Sequence, residues 1–210
     1  VENVGAVVNM QAGVVNGHFR GGRNTEVTYM VDGIQVDETF GGSSATVDIQ
    51  PEAVQDLEVV TGTFNAEYGR AMSGVVNVVT RDGGPKFEGS VSLGGSSYYT
   101  DNTDIFVGLD PSINTSQDIK FSLGGPVIGD KVTFFSNVRI QTNNGHLNGL
   151  RLFEVDNFSN FYSDDSTTWF SEKTGDSSYV SMNSSNNLSA LFKLSFNLFN
   201  GIRFSTLYSH

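Results

Sequence analysis

The hydrophobic rhythm of the chain changes near Asp82-Gly83-Gly84-Pro85. Consecutive glycine and proline interrupt helix and strand alike, so we place a domain boundary there. Before it, the apolar segments are short and mixed. Glu2 to Met10 reads as a short helix, with Val4, Val7 and Val8 on one face and Gly13 ending it. Glu26 to Val36 reads as a strand bent at Asp32-Gly33. Pro51 suits a first helical turn, with Val54 and Leu57 at helical spacing, but Leu57-Glu58-Val59-Val60 is already strand-like up to Gly62. Val75-Val76-Asn77-Val78-Val79 is apolar on both faces, as in a strand buried on both sides. Residues 1–84 are therefore expected to form a small α+β unit.

Downstream, the rhythm has period two. In Leu188 to Phe199, Leu188, Ala190, Phe192, Leu194, Phe196 and Leu198 point one way, and Ser189, Lys193, Ser195 and Asn197 the other, with Leu191 and Phe199 as exceptions. In Val132 to Gln141, Val132, Phe134, Val138 and Ile140 alternate with Thr133, Asn137, Arg139 and Gln141. Lys86 to Tyr99 repeats the theme through Phe87, Val91 and Leu93, Ile119 to Leu123 continues it, and Ile202, Phe204 and Tyr208 open a fifth strand. The connections alternate as well. A long polar loop near Thr100 to Ser116 precedes a tight turn at Gly124 to Asp130; a very long loop, Asn143 to Asn186, precedes Asn200-Gly201, which suits a type I′ hairpin. Long loops alternating with short turns are the pattern of an outer-membrane barrel. A soluble β-sandwich with one wet face can carry the same alternation, and on this pattern the two stand level.

Composition narrows the function classes. A formal net charge of -11 removes nucleic-acid binding, which needs a basic stripe. The absence of cysteine removes a disulfide framework and thiolate metal sites, and is compatible with the cell envelope. No stretch approaches the roughly 20 apolar residues of a membrane helix, but a barrel strand needs only about 10 alternating ones. Val1 does not begin a leader, so a signal peptide is read as removed or not covered. His18, His146 and His210 share no metal-ligand spacing. Ser43, Ser44, Ser96 and Ser97 lie in Gly-Gly-Ser-Ser runs without a nucleophile elbow, and Asp101 and Asp104 lack the spacing of a calcium loop. We expect no enzyme, no cofactor and no metal.

The first part carries a more specific signal. His18-Phe19-Arg20-Gly21-Gly22-Arg23 is followed by VTYMVDGIQV and then by IQPEAVQDLEVVTGTFNAEYGRAMSGVVNVVTRDGG. These segments resemble the plug domain of TonB-dependent outer-membrane receptors, over about Val1 to Gly84. The matching positions are Arg20-Gly21, Asp32-Gly33, Pro51, Glu58-Val59, Gly62, Glu67-Tyr68-Gly69, Gly74 and Val75 to Arg81. GGPVIGDKVTFFSNVR is similar to an early barrel hairpin of the branch with an N-terminal carboxypeptidase-regulatory-like domain. The resemblance implies an α+β plug domain, residues 1–84 with an incomplete N-terminus, followed over residues 85–210 by about the first five antiparallel strands of a transmembrane β-barrel. Such transporters carry roughly 22 strands, and no TonB box precedes Val1, so the chain is read as a fragment.

The resemblance also implies active import. The plug occludes the lumen and gates energy-coupled uptake of an unknown ligand. Its partners are outer-membrane lipid, the periplasmic energy-coupling protein TonB, and, in some relatives, a surface lipoprotein. The alternative class is a non-transporting β-rich cell-surface adhesion or binding protein. Gly33, Gly62, Gly69 and Gly74 read as turn or close-approach positions, and Asp32 as a turn residue bonding nearby backbone amides; Tyr68 belongs to the same plug turns. Arg20 and Arg70 are candidates for a plug-to-barrel lock, paired with carboxylates of the wall. Arg139 and Lys193 should face the lumen, since a cation on the lipid side near the midplane costs about 2–4 kcal/mol. The long loop is too aromatic to be disordered. Its ligand or partner candidates are Phe153, Phe161, Tyr162, Asp164, Asp165 and Trp169, with packing over the barrel mouth as the equal alternative.

Overall fold

In the computed structural model, which describes residues 4–23, 26–36, 49–62, 72–109, 115–199 and 201–210, the expected first helix forms as α1 (Val4–Asn9) and buries Val8. A small ribbon follows, β1 (Val14–Val15) with β2 (His18–Phe19). The segment expected to be one bent strand is a hairpin, β3 (Val27–Val31) with β4 (Ile34–Gln35). The reason is local: Asp32 has φ 50° and Gly33 φ 82°. Two successive positive φ values make a type I′ turn and reverse the chain instead of bending it.

The helix led by Pro51 is also shorter than its spacing suggests. It is a single 3-10 turn, Pro51–Ala53, and β5 (Val54–Thr61) begins at once. The β-branched Val54, Val59 and Val60 find a ladder in β6 (Gly74–Thr80), from Val54↔Thr80 to Thr61↔Gly74. Tertiary pairing overrides the helical spacing. The sheet order is β4-β3-β6-β5, with β3 and β6 parallel and the other pairs antiparallel. β6 thus has neighbours on both edges, and Val75, Val76, Val78 and Thr80 are buried, as its two apolar faces require. Gly74 packs against Phe19, which is 0% exposed; a Cβ there would stand 2.5 Å from its ring.

Five further strands form the second sheet: β7 (Glu88–Ser96), β8 (Ser116–Ile128), β9 (Val132–Asn143), then β14 (Ser185–Phe199) and β15 (Ile202–Ser209). Their order is β15-β14-β9-β8-β7, so each lies beside its sequence neighbour in this set. The turn expected at Gly124 to Asp130 is tighter. Gly124-Gly125-Pro126 stays in β8, near the strand end where proline is tolerated, and only Gly129 to Lys131 turns.

The faces of this sheet are inverted relative to a soluble protein. Thr133, Asn137, Lys193 and Ser195 are buried. Val91, Phe121, Ile140, Phe192 and Phe204 are exposed, Phe204 at 57%. On the outer face, aromatic rings meet across neighbouring strands, Phe134 with Phe192 at 6.5 Å and Phe196 with Phe204 at 5.9 Å, and Phe87, just before β7, lies 6.3 Å from Phe134. The exceptions to the alternation are informative. Leu191 and Phe135 face inward and join a core with Val8, Val14, Phe19, Val27, Val31, Ile49, Ala53, Val76 and Val78. With the partly buried Leu207 of β15, they are apolar contacts of the wall with the N-terminal domain.

Contacts divide the chain into two units. The first holds Val1–Ser92, Lys120–Arg139 and Leu188–His210, and everything described so far about the core lies in it. The second holds Leu93–Ile119 and Ile140–Asn187. Here the very long loop, expected to lack regular structure, folds back on itself as two antiparallel ribbons. β10 (Asn148–Leu150) pairs with β13 (Tyr179–Ser181), and between them β11 (Ser159–Asn160) pairs with β12 (Phe170–Ser171). The His146 ring lies 5.3 Å from that of Tyr98 and 6.1 Å from that of Phe106.

Candidate functional site

Period two along β14 places Lys193 on the same face as Leu191 and Ser195, and that face is the buried one. Lys193 is 4% exposed. A buried ammonium is costly unless it is paired and hydrogen-bonded. Three elements of the N-terminal domain meet that demand. The type I′ turn delivers Asp32, whose Oδ2 is 3.0 Å from Nζ. The end of β6 delivers Thr80, which accepts from Nζ at Oγ1 (2.9 Å) and at its carbonyl (3.2 Å). The segment leading to the barrel delivers Asp82, with Oδ1 at 3.3 Å.

The carboxylates are held by further donors. Asp32 accepts from the Thr80 amide at 2.9 Å and from the Thr80 hydroxyl at 2.6 Å. Asp82 accepts from the Ser195 hydroxyl at 2.7 Å and pairs with Arg203 of β15. Burial alone would raise the Asp82 carboxyl. The hydrogen bonds of Ser195 and Arg203, with the charges of Lys193 and Arg203, outweigh it and hold the group below the usual carboxylate range.

A second set of contacts ties the 3-10 turn to the wall. Lys120 of β8 pairs with Glu52 at 2.7 Å, and Arg139 of β9 donates to Gln50 Oε1 at 2.8 Å. Burial again pushes Glu52 up, and the Lys120 hydrogen bond, the backbone amide of Glu52 and the charges of Lys120 and Arg139 bring it down further. What these arrangements do is mechanical. Charge-assisted bonds from β8, β9, β14 and β15 hold the 3-10 turn, the β3–β4 turn and Asp82, beside the apolar contact made by Phe135 and Leu191.

Both shifts are downward from ordinary values of 3.8 for Asp82 and 4.5 for Glu52. Stabilisation from a lowered carboxyl is complete above its unfolded value and is lost as pH falls through the folded one. Asp82 and Glu52 therefore keep their part of the clamp at neutral pH and lose it only in acid, below the usual carboxylate range. In the full-length protein, single-channel conductance as a function of pH should show an acid opening step, diminished in Asp82→Asn. A step centred near neutral pH would contradict this origin.

Of the two expected lock residues, only Arg20 is among the described ones, and it stands elsewhere. Arg20 is exposed, has φ 48°, and lies against Gly62 of its own domain, with Nη1 3.2 Å from where a Gly62 Cβ would be. Tyr68, Gly69 and Arg70 lie outside the described residues, as do Ser43, Ser44 and Asn200. The described ion pairs between wall and N-terminal domain have the opposite polarity to the expectation: cations on the wall, carboxylates on the domain. Asp32 is a turn residue by its backbone, but its carboxylate reaches Thr80 and Lys193 instead of local amides. Gly33 and Gly62 do have positive φ.

In the loop, Phe161 and Trp169 make a T-shaped pair at 5.9 Å, and the Trp169 indole donates to the Ser163 carbonyl at 2.8 Å. Asp165 caps the 3-10 turn Ser166–Thr168, accepting from the Thr167 amide and hydroxyl. Those hydrogen bonds lower its carboxyl. Phe153, Tyr162 and Asp164 are exposed and do not share in that cluster; Tyr162 is 95% exposed.

Comparison with known proteins agrees with this architecture. The TonB-dependent Receptor Plug Domain family matches residues 2–76. The TonB-dependent transporter Oar of Myxococcus xanthus is 31% identical over 156 residues, 70% of this chain and 14% of Oar. The vitamin B12 transporter BtuB of Vibrio vulnificus is 34% identical over 80 residues, 38% of this chain and 13% of BtuB. Among solved structures, the siderophore receptor PirA of Acinetobacter baumannii aligns with 99% of the chain at TM-score 0.59 and 15% identity. A mutant of the ferric enterobactin receptor PfeA of Pseudomonas aeruginosa aligns with 99% at TM-score 0.57 and 18% identity. The chain spans 29% of PirA and 30% of PfeA. The chain, a plug-type sheet clamped to strands that are polar inside and apolar outside, thus carries, at residues 2–76, the plug domain of the TonB-dependent receptors.

Proposed function

We propose that the full-length protein is a TonB-dependent importer, in which the domain of residues 1–84 occludes the barrel begun by residues 85–210. One observation carries this reading: Lys193 faces inward and is paired to the N-terminal domain, while its neighbour Phe192 faces outward. A lumen filled by a polar domain and an outer face meeting lipid explain both. The partners are outer-membrane lipid, an imported ligand and TonB, which supplies the pull. A surface lipoprotein at the outer mouth and the branch with a carboxypeptidase-regulatory-like domain belong to the same proposal. Strand one starts at the periplasmic rim, so both long loops lie outside the cell and the turns at Gly129 to Lys131 and at Gly201 lie in the periplasm. Phe153, Phe161, Tyr162, Asp164, Asp165 and Trp169 then offer the ligand, or such a partner, an aromatic and acidic outer surface.

The test is conductance of the full-length protein in planar bilayers, beside a deletion of residues 4–80. The intact protein should be closed and the deletion open. No conductance from a correctly inserted deletion protein would overturn the proposal.

A further inference from the structure

The sequence contains Gly-Gly-Pro twice, at Gly83-Gly84-Pro85 and at Gly124-Gly125-Pro126, and the fold brings the two together. A Cβ on Gly83 would collide with the Phe134 carbonyl oxygen and stand 2.8 Å from that of Gly125. A Cβ on Gly124 would stand 3.4 Å from the Phe134 carbonyl and 3.7 Å from the Gly83 Cα. The connector between plug and barrel thus lies backbone against backbone on β8 and β9, an approach closed to residues with side chains. One residue earlier, Asp82 is held by Ser195 and Lys193 of β14 and by Arg203 of β15. Asp82-Gly83 therefore touches β8, β9, β14 and β15.

Asp32 is held differently. It sits at the tip of the β3–β4 hairpin, and its ion pair to the wall is with Lys193. That hairpin is at the edge of the plug sheet, joined to the rest through the five register pairs of β3 with β6. Any movement that carries the hairpin away takes one carboxylate from a buried lysine. A lysine with a single partner would then be left charged and unpaired, at high cost. Lys193 has a second carboxylate, and that one lies on the seated connector.

We propose that Asp82-Gly83 is a fixed anchor, and that Asp82 is the partner Lys193 keeps when the Asp32 turn leaves the wall. Gating then moves the hairpin without extracting the connector, and Lys193 passes from a shared to a single ion pair. Asp82 and Gly83 are positioning residues: they act through Lys193 and the strand backbones. The inference rests on the reading of the protein as a plug-gated transporter.

The test uses the full-length protein in liposomes, with spin labels on paired cysteines and rising urea. One pair, Ile34→Cys with Asp130→Cys, reports the hairpin. The other, Arg81→Cys with Asp130→Cys, reports the connector. All three positions are exposed. The hairpin pair should lose its folded-state distance peak at a lower urea concentration than the connector pair. Asp32→Asn should lower the urea needed for the hairpin alone. Asp82→Asn should make both peaks disappear together, and Gly83→Ala should do the same through the backbone contact. Where Gly83→Ala fails to insert, Asp82→Asn alone decides. Loss of the connector peak first, or both together in the unmodified background, overturns the anchor; so does Asp82→Asn with the order unchanged. Bilayer conductance separates this from the transport reading. A gated pore with the connector released first sinks the anchor only, whereas absence of a gated pore with the order intact sinks the transport reading and leaves the anchor as a structural device.

Discussion

Lys193→Met should unseat the plug of the full-length protein. The substitution removes the cation from a site where Asp32, Thr80 and Asp82 have turned their oxygens toward it. Breaking a buried pair from one side costs about 3–5 kcal/mol. The Asp32 and Asp82 side chains keep 20% and 23% of their exposure, so water relieves part of that penalty, and about 3 kcal/mol is expected. The urea concentration that opens the channel in bilayers should fall substantially. Lys193→Arg keeps the charge but adds length beside Ser195, and should fall between the two. A midpoint unchanged in Lys193→Met would mean that the apolar contact through Phe135 and Leu191 carries the seating and the polar clamp does not.

Phe192→Lys should prevent stable insertion. Phe192 is 40% exposed on the outer face of β14, and its ring packs against that of Phe134 at 6.5 Å. A lysine on the lipid face costs about 2–4 kcal/mol near the midplane, and less toward either interface. The folded fraction, read from heat-dependent migration in detergent gels, should drop sharply for Phe192→Lys. Asn197→Lys, on the opposite face of the same strand, should fold as the parent does. In a soluble sandwich the first change would be nearly neutral, since exposed substitutions there usually fall within about 0.5 kcal/mol. Equal folding of the two variants would contradict a lipid-facing sheet.

The period-two alternation was enough to find β7, β8, β9, β14 and β15, because a barrel wall separates polar and apolar residues strand by strand. It also put Arg139 and Lys193 on the inner face, where both engage the plug. The partners of those cations were harder to see. Asp32 before Gly33 looks like ordinary turn chemistry, and its turn is of that kind. Nothing in a linear reading says that β6 runs parallel to β3 and brings Thr80 and Asp82 beside the same turn. Parallel pairing across many residues leaves no local signature. A linear reading therefore points to the plug's arginines, while among the described ion pairs the wall carries the cations. Leu191 was visible as an exception to the alternation, and the exception has a cause: it marks where the wall touches the plug core. The loop ribbons were missed because strands of two or three residues are too short for a periodicity to register.

Two other differences have non-local causes. A Pro-led segment with apolar residues three apart looks helical, but β5 offers β-branched residues to a waiting neighbour, and the ladder to Thr80 starts at Val54. Gly124-Gly125-Pro126 looks like a turn, yet remains strand, with its glycines against the connector and the Phe87 ring; a Cβ on Gly125 would stand 2.5 Å from that ring. In both places the competing signal was a partner far away in sequence.

In the proposed topology this chain crosses an outer membrane with its long loops outside. The most direct measurement is labelling of the full-length protein on intact cells by a membrane-impermeant maleimide, with single cysteines at Ser166→Cys and Asp130→Cys. Ser166 lies in the exposed 3-10 turn of the long loop, and Asp130 in the exposed tight turn between β8 and β9. Ser166→Cys should be labelled on intact cells, and Asp130→Cys only after the outer membrane is permeabilised. The reverse pattern would contradict the orientation, and equal labelling of both on intact cells would contradict a membrane-spanning sheet.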